Sequence, residues 1–322
     1  MADASRKAQF LLMLCVLVAI VTVSGCTTQP QGAGGGGPGI VIEKFETSPT
    51  TIESGEPVNL RLEVRNMGEY NGPAGIGVPA VAEIMSIDPT EWGVMPSTII
   101  DMGTMLMPDI ESNTQGGLGT ANWELMAPLL QRGQRKSYEI RARVYYPYET
   151  KAIKPVWFVT AEELRRVVQM GDALTSDAGT QTSGPLTVTV NAGQFVRANE
   201  YKDSKFQLQI RIDNSGAGQI RGRNYPVAMT VIWPPWVAPV GGYCPSQTQW
   251  ITPVFNDVPA ILTSLPGTYV YLWNGRTTDI TCEFQIVQPP SSRTQGNFEV
   301  ALGYIYSVDA TTSIEVKGTE EF

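Results

Sequence analysis

One strand pattern occurs twice in this chain, in the same order, and that repeat narrows the fold more than any other feature of the 322 residues. "VNLRLEVRNMG" at 58–68 lies over "FQLQIRIDNSG" at 206–216 at an offset of 148, with Asn66 over Asn214 and Gly68 over Gly216. "SYEIRARVYY" at 137–146 lies over "NFEVALGYIY" at 297–306 at an offset of 160, matching Tyr138 to Phe298 and Tyr146 to Tyr306. Apolar and polar residues alternate through these segments, the period of a strand with one face buried. Val41 to Phe45, Leu186 to Val190, Ala228 to Trp233 and Ile314 to Val316 read the same way. Two matched strand pairs in order indicate tandem duplication of one all-β unit. The predicted fold class is all-β: tandem immunoglobulin-like β-sandwiches at 40–190 and 191–322, each two sheets packed through their apolar faces.

Local signals refine this. The Asn-x-Gly after the matched strand predicts a tight connection with positive φ at the glycine. Thr160-Ala161-Glu162-Glu163 fits a capping box, Leu164, Val167 and Val168 recur at helical spacing, and Gly171 is a stop. These place one short helix at 161–170, expected across one end of the first sandwich, before "GPLTVTV" supplies a final strand leading into the second unit. From Val78 to Met126 the first unit carries an insert with Met85, Met95, Met102, Met105, Met107 and Met126, soft side chains able to fill irregular gaps or meet a partner, with filling the core the leading expectation.

The amino end reads as a targeting segment. Arg6 and Lys7 precede an almost wholly apolar run from Phe10 to Val23, then small residues, the layout of a secretory signal peptide at 1–25. Val23-Ser24-Gly25-Cys26 resembles the lipobox of prokaryotic lipoproteins, which implies lipid on the Cys26 thiol and cleavage just before it. Two acyl or alkyl chains, at about 0.8 kcal/mol per buried methylene, suffice for durable anchoring. An uncleaved signal anchor is the alternative, and both place the remainder outside the cytoplasm. Residues 26–39 then form a Gly-rich tether; its thirteen residues Thr27 to Gly39 would span about 20 Å. Gly32, Gly34 and Gly37 match a dinucleotide fingerprint only by spelling, since no strand precedes them and no helix follows.

Composition excludes several classes. A net charge of −8 with no cluster of Lys and Arg argues against a nucleic-acid partner. Cys244 and Cys282 are the only cysteines of the body and are expected to be joined, as befits an exported chain. With no histidine in the chain, a thiolate metal site lacks its usual partners and catalysis lacks its usual proton shuttle. No metal and no cofactor is expected. GxSxG, SxxK and Walker sequences are missing, so no catalytic residue is assigned and the chain is read as not an enzyme.

"SGEPVNLRLEVRNMGEYNG" resembles the CARDB type of extracellular, adhesion-related Ig-like domain, in which "GEPV" opens a strand and "N-x-G" closes it. The longer run through "SYEIRARVYYPYETKAIKPV" and "AEELRRVVQMG" is similar to archaeal surface lipoproteins with tandem domains of this kind. The resemblance implies architecture and location, anchored at the outer face of the cytoplasmic membrane, and carries over no active site.

Candidate contact residues lie in "VIWPPWVAPVGGYCPSQTQW" at 231–250, where Trp233, Trp236, Tyr243 and Trp250 sit among Pro and Gly near Cys244. Rigid aromatics on a stapled loop suit an envelope protein or polysaccharide partner, whereas the same rings folded inward would cap the sandwich. The leading functional expectation is a lipid-anchored, non-catalytic structural or adhesive module. A binding or assembly subunit of an envelope complex would need a cleft between the units. A histidine-free hydrolase would need two facing carboxylates about 5 to 10 Å apart.

Overall fold

The computed structural model describes residues 38–174, 177–199, 204–242, 244 and 268–319. The expected signal peptide and most of the expected tether lie outside the described residues, Cys26 included. Strands are numbered along the chain.

The matched segments at 137–146 and 297–306 belong to two very long strands, β7 (Arg135–Thr160) and β17 (Arg293–Lys317). All 25 residues of β17 pair antiparallel with β7. At ~3.3 Å per residue this ladder is about 80 Å long. It forms the middle of a large sheet ordered β15 (Thr268–Tyr271), β13 (Pro226–Ile232), β17, β7, β4 (Val78–Met85), β5 (Ile99–Met105). Short strands β2 (Thr51–Glu53) and β12 (Gln219–Ile220) add to β17, and β8 (Thr180–Gln181) and β10 (Val196–Ala198) add to β7.

Two smaller sheets complete the sandwiches. The first has the order β1 (Ile40–Ser48), β3 (Pro57–Asn66), β6 (Leu118–Met126). The second has the order β14 (Val237–Pro239), β16 (Thr277–Ile286), β11 (Ser204–Asn214), β9 (Leu186–Asn191). Alternation decides which side chains face inward. Val58, Leu60, Leu62 and Val64 of β3 are fully buried with Ile140, Ala142 and Val144 of β7. In the second sandwich Phe206 and Phe284 of the small sheet meet Phe158 and Phe298 of the large one, at ring-centroid distances of 5.4 to 6.1 Å. The chain is all-β, two sandwiches with one described α-helix, and each long strand serves one sandwich with one half and the other sandwich with the other.

That sharing moves several expected elements. β9, the "LTVTV" strand, pairs with β11 and so forms the edge of the second small sheet. Helix α1 (Ala161–Gln169) starts where expected, with Thr160 Oγ1 accepting from Glu163 N and Gly171 at φ 76° after its end. It does not cap the first sandwich. β7 has by then crossed into the second, where Thr160 N donates to Ser292 O and Arg293 approaches Glu163 at 3.8 Å.

The methionine-rich insert also departs from expectation. It contains β4, β5 and β6, and of its six methionines only Met105 is fully buried, while Met95, Met107 and Met126 are exposed. Trp92 and Trp123 fill the core instead, both almost wholly buried, with Trp92 edge-on to Tyr138 at 5.0 Å. A rigid ring of that volume leaves little for flexible side chains to fill.

Candidate functional site

The two sandwiches meet at a waist built from four tyrosines. Tyr146 pairs across the ladder with Tyr306, and Tyr148 with Tyr304, around the central pair Pro147 and Ile305. Each tyrosine is at most 1% exposed. Their hydroxyls find matching partners in both halves. Tyr146 donates to Ile40 O at 3.5 Å and Tyr304 accepts from Leu186 N at 3.3 Å, the first residues of β1 and β9. Tyr148 accepts from Tyr70 N at 3.4 Å, and Tyr306 from Gly218 N at 3.0 Å. Tyr146 thus corresponds to Tyr304 and Tyr148 to Tyr306, so the long strands repeat at an offset of 158 rather than 160. A slip of two residues keeps every side chain on its own face, which is why alternation alone does not separate the two.

Asn66 and Asn214 brace the same place. Asn66 Nδ2 donates to Tyr70 O and Met105 O, both at 3.2 Å, and Asn214 Nδ2 to Gly218 O and Gly275 O at 3.2 and 3.1 Å. The glycines two residues on do not have positive φ, contrary to the expected turn geometry. They are glycine because a Cβ at Gly68 would overlap the Tyr148 hydroxyl, and one at Gly216 would sit 2.5 Å from that of Tyr306. Burial pushes the phenols of Tyr146 and Tyr304 well above their usual range and that of Tyr306 up to about 12.

Beside the waist, the two copies carry grooves near corresponding positions, each with an arginine–carboxylate pair, the first mainly apolar and the second mainly polar. In the first sandwich Met67, Pro108, Ile110 and the 113–116 backbone line a groove of about 340 Å³ together with Glu43 and Arg65. In the second, Arg211, Asp213, Gln219, Tyr225, Asn274 and Arg276 line one of about 540 Å³. Here Arg211 donates to both Asp213 oxygens at 2.9 and 3.2 Å, which holds that carboxyl below its ordinary value. Asn224, Tyr225 and Asn274 all adopt positive φ, 65°, 57° and 50°. Left-handed backbone at residues other than glycine costs free energy and gathers at functional sites. Trp273, next to Asn274 in the same turn, is 76% exposed. Sequence reasoning did not single out this groove, because its residues come from the end of β11, from β12 and from the turns before β13 and β16, far apart in the chain; the only local sign is the "WNGR" turn at 273–276.

The residues singled out from sequence fall elsewhere. Cys244 and Cys282 form the expected disulfide, Cα atoms 5.6 Å apart, closing a separation of 38 residues. Trp233 and Trp236 are half-buried and point into the aromatic core, against Phe284 at 5.7 Å and Phe158 at 6.1 Å. Tyr243 and Trp250 lie outside the described residues. Among the described residues, no group of three or more Cys, Asp and Glu is placed to hold a metal ion. Asp88, Asp109, Glu163, Asp213 and Asp309, the described carboxyls with displaced pKa values, all shift downward. A general acid at neutral pH needs the opposite shift.

This geometry defines a fused double β-sandwich. No family model and no curated protein matches the chain. Among solved structures it is similar to Salmonella alpha-2-macroglobulin reacted with methylamine, at 10% identity and a TM-score of 0.19, over 87% of this chain and 16% of that one. The chain therefore spans under a fifth of that protein's length. It is also similar to the CsuC–CsuE chaperone–tip adhesion subunit complex of Acinetobacter baumannii pili, at 11% identity and a TM-score of 0.17, covering 86% of this chain and all of that one. The Enterococcus faecalis adhesin ACE gives 8% identity and 0.15, covering 87% and 95%. Scores of this size carry no argument about role, and the sandwich assignment rests on the sheets themselves.

Proposed function

We propose that the protein is a lipid-anchored, extracytoplasmic, non-catalytic module that holds a rigid double sandwich at the cell surface and contacts a polar envelope partner. The observation that carries this reading is the shared ladder. Two sandwiches joined by an ordinary linker would hinge, whereas bending here would break pairing along both β7 and β17, so the halves move as one body. The disulfide supports an oxidising compartment, where such bonds persist. Cys26, as the resembled lipobox implies, supplies the anchor. The Arg211–Asp213 groove with Asn274, Arg276 and the exposed Trp273 is the contact surface, its fixed polar groups and ring suited to hydroxyl-rich polysaccharide or a polar protein face. A binding subunit with a cleft between its halves is disfavoured, because the four tyrosines fill the waist.

The test has two arms. Mass analysis of native material finds a diacylglyceryl-type adduct at an amino-terminal Cys26; a bare thiol there overturns the anchor. Arg276→Ala and Trp273→Ala, both at exposed positions, reduce cross-linking to envelope neighbours on intact cells without changing the denaturation midpoint. Unchanged cross-linking in both variants overturns the assignment of the groove.

A further inference from the structure

The described chain begins at the waist. Gly39 O accepts from Met67 N at 2.8 Å, and Gly39 packs between the Tyr146 hydroxyl and Pro185, so any tether enters the body at its middle rather than at an end. Around that entry point the first sandwich exposes a concentration of large apolar side chains. Met67 is 47% exposed, Ile76 65%, Leu106 55% and Ile110 83%, with Met107 and Leu118 also exposed. These residues are physically connected. Met67 and Ile110 line one groove, Leu118 pairs with Arg65 of that groove, and Met107 N donates to Asn71 Oδ1 at 3.2 Å in the loop that carries Ile76. Ile110 stands at the tip of a turn closed by reciprocal Asp109–Thr114 hydrogen bonds of 2.9 and 3.0 Å. The turn is held open to the outside, not folded onto the core.

We infer that this loop surface rests in the interfacial layer of the bilayer to which Cys26 is anchored, giving the first sandwich a second, non-covalent membrane contact. The inference builds on the lipid-anchor reading. Its occupant is fixed by where the chain outside the described residues joins the body. Only the eleven residues 27–37 separate Cys26 from the first described residue, a length of chain that keeps the waist within reach of the membrane surface and raises the local concentration of lipid around this patch. Apolar loop tips are what an interface accepts, and the patch exceeds the scattered single side chains normal on a soluble surface. Charge argues for apolar rather than electrostatic attraction. Arg65 is engaged by Glu43, and Ile110 is flanked by the acidic Asp109 and Glu111, so no basic cluster is offered to anionic headgroups. The corresponding groove of the second sandwich is lined by Arg211, Asp213 and Arg276, carries the exposed Trp273 ring in place of a cluster of aliphatic side chains, and stays available to a partner.

The test uses the full lipidated chain on phosphatidylcholine vesicles containing brominated acyl chains. Ile110→Cys and, as a remote control on α1, Val168→Cys each carry a polarity-sensitive fluorophore; both sites are exposed, so neither label disturbs the core. The expected result is quenching and a blue shift at 110, neither at 168, and no change on adding salt or anionic lipid. Flotation of the same samples separates the two claims. Chain that floats while the label at 110 is unquenched overturns the membrane contact and leaves the anchor standing. Chain that does not float overturns both, and equal quenching at 110 and 168 overturns the contact by removing its specificity.

Discussion

The two sandwiches share one backbone plan and differ in how they close and what they expose. The first fills its core with Trp92 and Trp123 and leaves Met67 and Ile110 beside the tether root in solvent. The second packs Phe158, Phe206, Phe284 and Phe298 together, covers them with Trp233 and Trp236, and adds the Cys244–Cys282 bridge. At the waist they remain alike down to individual hydrogen bonds from Asn66 and Asn214. Duplication therefore preserved what both copies bury in common and released the loops. The groove residues show this most clearly, since Met67 and Ile110 on one side face no counterpart of like chemistry among Arg211, Asp213 and Arg276 on the other.

The comparison breaks first on cooperativity. Truncating Phe284→Ala in the second sandwich or Trp123→Ala in the first costs about 3–5 kcal/mol. Because the ladder runs through both, either change lowers a single shared transition in calorimetry. Two resolved transitions, each moved by only one substitution, would show that the sandwiches fold independently.

Next is the bridge that only the second sandwich has. Replacing Cys244 and Cys282 together by Ala removes up to about 4 kcal/mol on the chain-entropy estimate for a loop of 38 residues. Denaturant midpoints of oxidised and reduced protein measure it.

At the waist the halves are expected to respond equally. Gly68→Ala and Gly216→Ala each push a methyl group against a tyrosine hydroxyl, costing about 1–3 kcal/mol. Adding Tyr148→Phe or Tyr306→Phe to the respective variant recovers part of the loss in a double-mutant cycle. Recovery in one half only would show that the waist is not symmetric.

The smallest effect in the ordinary range is that of pH. With no histidine in the chain, stability is flat from about pH 5 to 9. The folded pKa of Tyr306 is raised from 10.0 to about 12, so the native state holds a proton that the unfolded chain releases. Its contribution is complete below pH 10.0 and is lost as pH climbs toward 12. On the acid side Asp213 and Asp309 have lowered values, so their contribution is present above the ordinary value of 3.8 and lost on acidification below it. A denaturation series from acid to alkaline pH with an inflection near neutrality would contradict this.

The all-β class, the duplicated motif, the helix start at Thr160 and the disulfide pair were legible in the sequence, because alternation, capping and cysteine number are local or countable. The length of β7 was not. Pro147 and Pro155 argue for a break, since proline cannot donate to a ladder. Yet on the side away from β17, β4 pairing stops at Tyr145, β8 pairs only Ala152 and Ile153, and β10 begins at Phe158. Both prolines fall in the gaps. The aromatic segment around Trp233 had two readings in the sequence, because composition does not say which way a ring points. The polar groove was invisible, since Arg211, Tyr225 and Asn274 come together only after β11, β13 and β16 are in register.

The sequence by itself determined which faces are apolar, that one unit occurs twice, and which cysteines pair, because side-chain period and residue type are properties of the chain alone. Tertiary structure decided that the two copies fuse through one continuous ladder and that their waist glycines answer to tyrosine hydroxyls rather than to turn geometry. It also decided that corresponding grooves differ in balance, mainly apolar in the first copy and mainly polar in the second. Register and close approach depend on what lies across the sheet, and a period of two leaves that choice open until the strands have paired.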